Sequence, residues 1–291
     1  YYSHCHAFPI YGTGQGSGNS PVIWCIISST LFKCHAEHSH GATFCSPDKS
    51  TSVALSMVGF VDDRTGQVNN FDSHIQPTPE ELLEYMRHDA KLWNDLLWMS
   101  GGLLELSKCS YHHIHFDFDA DGNATPRLGP VGPPITIPGN QTNAEIVIPS
   151  NSVANPHKTL GHYKAPAGNS ATQLQTLKTK SNKLGKQVAT GPFDRRDTWI
   201  FYQSIYMKSM GYVLPQSFFT QQQLQSVQTA AMSSIIAKCG FNQKIKSKVI
   251  YGPTSLAGAG FVGLYTVQGT GQIMLFLKFW RTNCQPAASS E

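Results

Sequence analysis

The chain has 291 residues, with 22 Lys+Arg against 18 Asp+Glu, 40% apolar residues and 11% aromatic residues. Because charged residues make up only 14% of the chain and apolar residues are ample, the composition excludes a disordered, fibrous or coiled-coil protein. The longest apolar runs lie near 22–31 and 273–280. Both fall short of the roughly 20 residues that a membrane-spanning helix needs, so we expect no membrane span.

The first predicted helix follows a glycine-rich segment at 12–19. Ser20 is a suitable N-cap and Pro21 a suitable first helical residue, and residues 22–32 are apolar nearly all round. A helix without a polar face is predicted to be buried.

The remaining elements are predicted from hydrophobic period and turn residues. In chain order they are a loop at 41–50, a strand at 51–61, a helix at 78–97, a strand at 103–118, a hairpin turn at 119–123, an insertion of hairpins at about 117–156 with strands at 135–137 and 145–148, and helices at 173–188, 195–210 and 221–239. The predicted fold class is α+β with a helical second half.

The cysteines indicate a reducing compartment. There are seven, without regular spacing, which does not indicate a secreted disulfide framework. No basic segment followed by an apolar one marks a signal peptide. We therefore expect an intracellular protein, in the nucleus or the cytoplasm. We also expect the sequence to be an excerpt of a longer chain.

Charge divides the chain into two predicted domains. Residues 1–163 hold 8 Lys+Arg and 15 Asp+Glu, a net charge of −7, whereas residues 164–291 hold 14 and 3, a net charge of +11. An acidic half can hold hard cations, and a basic half can face a polyanion such as nucleic acid. The alternative is two oppositely charged domains that complement each other across an interface.

The glycine-rich segment matches neither common phosphate-binding pattern. A G-x-G-x-x-G motif that begins at Gly12 needs glycine at Ser17, and a P-loop needs Gly-Lys at Ser17 and Gly18. What remains is a loop that lets a flat ligand approach the backbone, with hydrogen-bonding groups on Gln15, Ser17 and Asn19. A plain tight turn is the alternative.

Asp62 and Asp63 form the short pattern that most specifically indicates a metal-binding site. Adjacent carboxylates at the end of an apolar strand repel each other unless a cation lies between or beside them, and oxygen ligands suit Mg²⁺. An ordinary Asp-Asp turn is the alternative for the dipeptide alone.

Taken in chain order, the glycine-rich loop, the apolar helix, the strand that ends in Asp62 and Asp63 and the helix after it resemble the reverse transcriptases of retroelements, particularly the non-LTR-like ones. Residues 14–21 resemble motif B of that family, and residues 60–63 resemble motif C, its catalytic aspartate hairpin. The resemblance implies that Asp62 and Asp63 are catalytic and bind Mg²⁺ or Mn²⁺. It also implies that four loop residues lie against the incoming nucleotide and the template base, namely Gln15, Gly16, Ser17 and Asn19.

Two further motifs extend the resemblance over most of the chain. Residues 93–109 resemble motif D, which implies that Lys108 approaches the leaving pyrophosphate. Leu160, Gly161 and His162 resemble motif E, which implies that Leu160 and Gly161 form the primer grip. The helical remainder then corresponds to a thumb and its extension.

The resemblance implies a partial right-hand polymerase palm at 1–163, with an antiparallel β-hairpin and packed helices, followed by a mainly helical thumb at 164–291. The implied activity is RNA-directed DNA polymerisation by two-metal nucleotidyl transfer, with an RNA template, a DNA primer and deoxynucleoside triphosphates as partners. Motif A, which carries the first catalytic aspartate, precedes motif B in this family, and no Asp stands ahead of Gly14. We therefore expect activity only with the upstream fingers and motif A segment, and none from this chain alone.

The second hypothesis is a noncatalytic nucleic-acid-binding remnant of a degenerate retroelement. The basic half carries two lysine clusters whose spacing favours shared surfaces that contact a nucleic-acid backbone. They comprise Lys178, Lys180, Lys183 and Lys186, then Lys244, Lys246 and Lys248. Solvated surface lysines without a partner are the alternative.

The segment from Cys34 to Cys45 holds enough soft ligands for zinc, among them His35 and His40. Its spacing follows no common zinc finger. A surface loop rich in histidine is the alternative interpretation.

Overall fold

The computed structural model describes residues 19–281 except 47, 49, 61–62, 70–76, 130–131, 140–143 and 243. Within these residues the chain is α+β, with small antiparallel hairpins and a helical C-terminal half, as predicted. It divides into two compact units whose boundary falls between Ser152 and Val153. The predicted boundary after residue 163 instead cuts through a hairpin that belongs to the second unit.

The first unit combines two long helices with short paired strands. Its elements are α1 (Ser20–His38), β1 (Ala42–Cys45), β2 (Ser52–Leu55), β3 (Met57–Phe60), β4 (Asp63–Gly66), α2 (Pro79–Met99), a 3₁₀ turn (Leu106–Lys108), β5 (Phe116–Phe118), β6 (Ala124–Pro126), β7 (Ile135–Pro138) and β8 (Glu145–Ile148). Consecutive strands pair into antiparallel two-stranded sheets, β1–β2 through β7–β8. The helix predicted at 78–97 is confirmed, and a Thr78–Glu81 capping box fixes its start.

Three sequence predictions for this unit are wrong. The loop at 41–50 contains β1, the strand at 51–61 is two strands that pair in different sheets, and the strand at 103–118 is a 3₁₀ turn followed by β5. In these segments, hydrophobic period alone does not distinguish a strand from other structure. The hairpin turn at 119–123 and the strands near 135 and 145 are confirmed.

The expectation that α1 is buried is also wrong. Val22 and Ile26 are 62% and 65% exposed, and the buried residues of the helix are Leu31 and His35 in its C-terminal half. The reason is that α1 packs on α2 through that half, where Leu31 meets Trp93. A helix that is apolar all round gives no local indication of which part finds a partner.

The segment predicted as an insertion supplies much of the core of this unit. Ile135, Ile137 and Ile148 from β7 and β8 are buried against Leu83 of α2 and Tyr111. Since isolated two-stranded hairpins are marginally stable in water, the packing of β7 on α2 stabilises both.

The second unit is a helical body with one hairpin. Its elements are β9 (His157–Thr159), β10 (His162–Lys164), α3 (Ala171–Thr190), α4 (Arg195–Phe201), a π-helical turn (Tyr202–Tyr206), α5 (Met207–Gly211), a 3₁₀ turn (Leu214–Gln216), α6 (Gln221–Lys238), α7 (Ser247–Ile250), a second 3₁₀ turn (Thr254–Leu256) and α8 (Leu264–Arg281). The helices predicted at 173–188 and 221–239 are confirmed, and the one predicted at 195–210 is α4, the π-helical turn and α5 in succession. No described helix has the length and apolar character to cross a membrane.

Helices α3 and α6 form the centre of this unit and run parallel. The Ser181 hydroxyl donates to the Val227 carbonyl at 2.7 Å, and one turn further along both helices Gly185 meets Ala231. A Cβ on Gly185 would lie only 2.8 Å from the Ala231 Cα, so the absence of a side chain lets the two backbones approach. The contacts advance in the same direction along both helices, which places their C-terminal ends together.

Candidate nucleic-acid interface

The predicted nucleotide-binding loop falls mostly outside the described residues. Gln15, Gly16 and Ser17 lie there, whereas Asn19 is described as the residue before α1. Asn19 is exposed and its side chain makes no capping hydrogen bond to the helix. It therefore presents its amide to solvent at the helix N-terminus.

The predicted catalytic aspartates belong to the β3–β4 hairpin. The two strands pair antiparallel up to Phe60 opposite Asp63, and Val61 and Asp62 are the two residues between these paired ends. Asp62 lies outside the described residues, and Asp63 is exposed at the start of β4.

Arg64 attaches this hairpin to the two long helices. Its guanidinium carbon lies 5.4 Å from the ring centroid of Trp24, 5.0 Å from that of Phe32 and 5.8 Å from that of Trp93. Each such cation–π contact contributes on the order of 0.5–2 kcal/mol. The helix that follows the motif B-like segment, the hairpin that carries the motif C-like segment and the start of the motif D-like segment thus meet around one arginine. Sequence reasoning missed this arginine because its partners lie about 30–40 residues away.

Gly59 provides the space for this arrangement. It lies directly opposite Arg64 in the hairpin register. A Cβ at this position would lie 2.4 Å from the Phe32 ring and 2.8 Å from the Arg64 Cδ. Any side chain there would therefore push the arginine away from the aromatic rings.

Lys108 lies in a different environment from the hairpin. It ends the 3₁₀ turn whose Leu106 is buried beside β8, and its charge helps to lower the pKa of Glu105, after the stronger hydrogen bond from Ser107. Among the described residues, the one group of three or more metal-ligating side chains does not include Asp63. The two-metal assignment therefore depends on Asp62 and on motif A.

The predicted primer grip is the tip of the β9–β10 hairpin. Thr159 pairs with His162, and the two residues between them have positive φ, 50° at Leu160 and 81° at Gly161. Two successive positive φ values define the tight type I′ turn, which is compatible with strand twist. Leu160 is exposed at this tip in a backbone conformation that strains a non-glycine residue.

Several contacts hold this hairpin on the helical body. The Tyr212 hydroxyl donates to the Leu160 carbonyl at 3.1 Å, and the Tyr163 amide donates to the side-chain oxygen of buried Gln173 on α3 at 2.9 Å. His162 is buried next to the turn, and burial, followed by the charge of Lys164, lowers the pKa of its imidazole. The hairpin is thus anchored to the helical body both at its tip and along β10.

The four predicted lysines of α3 point in different directions. Successive residues turn by about 100°, so Lys178 lies about 160° around the helix from Lys180. Lys183 and Lys186 are exposed on the outward side of the helix. Lys180 lies at the margin of that side, where its Nζ donates to the Ser209 carbonyl at 3.1 Å.

Further cations collect where α3 and α6 end together. The Lys238 Nζ donates to the Gly191 carbonyl at 2.6 Å, and the Arg195 guanidinium lies 5.8 Å from the centroid of the Phe241 ring. Lys244 follows in an exposed turn. Helix C-termini attract positive charge, which favours this placement. We call this group the basic end and define it as Lys186, Arg195, Lys238 and Lys244.

The charges of the second unit are largely unneutralised. Residues 153–281 hold 15 Lys+Arg and 2 Asp+Glu, a net charge of +13. None of the described lysines and arginines from Lys158 to Lys248 forms an ion pair with a described carboxylate. The two acids lie at the start of α4: Asp194 caps its N-terminus and Asp197 lies in its first turn.

Comparison with family models, curated proteins and solved structures finds no match to this chain. The candidate interface is therefore defined by its own geometry: an exposed hairpin tip, the outward side of α3 and the basic end. Lys246 and Lys248, also exposed, continue the positive surface around α7.

Proposed function

We propose that the second unit binds the backbone of a nucleic-acid duplex through the outward side of α3 and the basic end. The observation that carries this proposal is the excess of 15 Lys+Arg over 2 Asp+Glu, without ion pairs from Lys158 to Lys248 among the described residues. Phosphate neutralisation by such cations releases counterions, which supplies most sequence-independent affinity.

The β9–β10 hairpin favours a primer–template duplex as the ligand. Its tip at Leu160 and Gly161 is narrow and exposed, so its backbone can approach a nucleic-acid strand closely. Lys158 and Lys164 are exposed on the two strands, in the second and third residue pairs behind the turn. In the proposed polymerase this hairpin is the primer grip, and the helical body behind it is the thumb.

The test is a salt titration of duplex affinity. The whole chain is titrated onto a fluorescent RNA–DNA hybrid at KCl concentrations between about 50 and 200 mM, and binding is measured by anisotropy. The double variant Lys186→Gln/Lys244→Gln removes two cations whose side chains make no hydrogen bond or ion pair with other described residues. We expect the slope of log K against log salt to become less negative by about 1.8, since each lost phosphate contact removes about 0.9.

The matched control is Lys33→Gln/Lys91→Gln, which removes two exposed lysines from the first unit. Its slope is expected to equal that of the unaltered chain. Equal slopes for both double variants, or an affinity insensitive to salt, would contradict the proposal.

A specific observation also favours RNA-directed DNA polymerisation by the longer protein of which we propose this chain to be a part. The β3–β4 hairpin is paired up to Phe60 and Asp63, with Val61 and Asp62 between, and Arg64 fixes it to α1 and α2. A short, anchored hairpin suits the motif C role, in which Asp62 binds catalytic metal with an aspartate of the missing motif A, and Asp63 assists.

This second proposal is tested by primer extension on an RNA template with Mg²⁺, using the longer protein that includes the fingers and motif A. Asp62→Asn is expected to abolish extension while leaving hybrid binding intact, because Asp62 contributes to chemistry and not to the basic surface. Asp121→Asn, in the exposed β5–β6 turn, is the control and is expected to retain full activity. Undiminished extension by Asp62→Asn would exclude the catalytic assignment.

A further inference from the structure

Three metal-ligating side chains converge in the first unit from two segments about 50 residues apart in the chain. His40 lies in the turn between α1 and β1, and His88 and Asp89 lie in the middle of α2. The Nδ1 atoms of His40 and His88 lie 3.0 Å and 3.2 Å from the same oxygen, Oδ1 of Asp89. One ligand atom from each residue fits within a 4.8 Å group.

The carboxylate at the centre is buried and fixed by the backbone. Asp89 Oδ1 accepts a hydrogen bond from the His40 amide at 2.9 Å, and Oδ2 accepts one from the Gly41 amide at 3.0 Å. Asp89 is therefore a carboxylate held in a fixed position by two backbone amides.

The turn that delivers His40 is equally defined. Gly41 has φ of +62°, which only glycine adopts without strain, and a Cβ there would lie 3.3 Å from Ser56. The His40 ring stacks on Tyr85 with centroids 4.2 Å apart and an interplanar angle of 11°. The His88 ring meets the His40 ring edge-on at 4.9 Å. The donor atoms are thus oriented before any ligand arrives.

The geometry points to a divalent transition-metal site, of the Zn²⁺ class, held by His40 Nδ1, His88 Nδ1 and Asp89 Oδ1. In a tetrahedral site with bonds of about 2.1 Å the ligand atoms lie about 3.4 Å apart. The two nitrogen–oxygen distances therefore need to lengthen by only a few tenths of an ångström. Each neutral imidazole gives its Nδ1 lone pair to the metal, and its proton moves to Nε2.

The donor set decides the class of metal and the kind of site. Two imidazoles with one carboxylate suit Zn²⁺ or Co²⁺, whereas Mg²⁺ prefers oxygen ligands. The side chains of His40 and His88 are 39% and 51% exposed, so the remaining coordination positions face solvent. Three protein ligands with an open position differ from a closed structural site, which has four.

Of these three ligands, only His40 belongs to the segment that the sequence suggested for zinc. His35 is fully buried in α1, where its Nε2 lies 3.0 Å from the Asp89 carbonyl oxygen, so it supports the backbone of the site. Cys34 lies in the same helix and Cys45 at the end of β1, and neither joins the group.

The inference is tested by titrating tag-free whole chain with Co²⁺ and Zn²⁺, using Co²⁺ absorption spectra and calorimetry. His88→Gln is the principal variant because His88 is half exposed and, among the described residues, its side chain hydrogen-bonds only to Asp89 and its ring meets only that of His40. We expect one high-affinity ion per chain, and a loss of affinity of at least tenfold in His88→Gln and in His40→Gln. His38→Gln, exposed in the last turn of α1, is the matched control and is expected to bind like the unaltered chain.

Two outcomes would overturn the assignment. One is equal affinity in His88→Gln and His38→Gln, which would leave the cluster as a hydrogen-bonded group without metal. The other is a sulfur-to-cobalt charge-transfer band, which would show that cysteine holds the ion. Neither outcome bears on duplex binding, which involves other residues.

Discussion

The two units differ in how their cores are built. Among the described residues, the second unit buries nineteen apolar side chains in one continuous cluster, whereas the first unit has clusters of six and three. Small cores contribute less hydrophobic stabilisation, because that stabilisation grows with the apolar area removed from water. The first unit supplements its cores with polar contacts between distant segments, above all those of Arg64 and Asp89.

The polar side chains buried in the second unit form hydrogen bonds within its single large core. Gln228 and Gln268 each bond both donor and acceptor to backbone groups of neighbouring segments. The Ser181 hydroxyl lies 3.1 Å from the Tyr206 hydroxyl, and burial raises the pKa of Tyr206 to about 12. These side chains provide hydrogen-bond partners for buried polar groups inside a core that apolar packing already stabilises. The stability of the first unit therefore depends more on each single contact than the stability of the second unit does.

The largest effect is expected from Ile137→Ala in the first unit. Ile137 is 2% exposed and belongs to the cluster of six, so the truncation leaves a cavity and costs about 3–4 kcal/mol. Hydrogen exchange measured by mass spectrometry should show loss of protection in α2, β7 and β8, with protection of the second unit unchanged. Val147→Ala, on the 56% exposed position opposite Thr136, is the control and should change stability by less than about 0.5 kcal/mol. Equal loss of hydrogen-exchange protection in both units would contradict this expectation.

A somewhat smaller effect is expected from Gly185→Val in the second unit. The new Cβ would lie 2.8 Å from the Ala231 Cα and 3.1 Å from the Ala230 carbonyl oxygen, which are backbone atoms that cannot turn aside. Overpacking of this kind costs about 2–3 kcal/mol. It should lower the urea midpoint of the second unit and weaken duplex binding, because it separates the ends of α3 and α6.

The matched control for this glycine is Gly269→Ala in α8. A Cβ at position 269 meets nothing within 4 Å. Alanine is a better helix former than glycine, so this variant should gain about 0.5–1 kcal/mol. A stable Gly185→Val protein would show that α3 and α6 do not pack as closely as the structure indicates.

The smallest expected effect is a change in the pH dependence of stability, caused by His162 next to the turn of the β9–β10 hairpin. Burial and then the charge of Lys164 lower the pKa of the His162 imidazole, so the unfolded chain binds a proton at higher pH than the folded chain. The stability that neutral His162 contributes is therefore complete above the unfolded pKa of about 6.5 and declines as pH falls below it. His162→Gln should flatten this decline when unfolding of the second unit is followed between about pH 5 and 7.5. An unchanged slope would contradict the pKa shift.

The sequence by itself determined the elements that local patterns specify. Helix α2 follows from its capping residues and apolar period, and the hairpin turn at 119–123 follows from its Asp, Gly and Asn residues. The positive second half is also a property of sequence alone, since charge counts need no coordinates. Such features depend on neighbours a few residues apart, so their physics is contained in short windows.

Tertiary structure alone decided which distant residues meet. Arg64 finds its aromatic rings on α1 and α2, and Asp89 finds His40 from a turn 49 residues away. The same reason explains the errors: α1 is apolar all round, and only its packing on α2 determines that Val22 stays exposed while Leu31 is buried. The basic end likewise exists because α3 and α6 run parallel, a relation fixed by the close approach of Gly185 to α6. Contacts between residues far apart in the chain leave no periodic trace in it, and they emerge only when the chain packs.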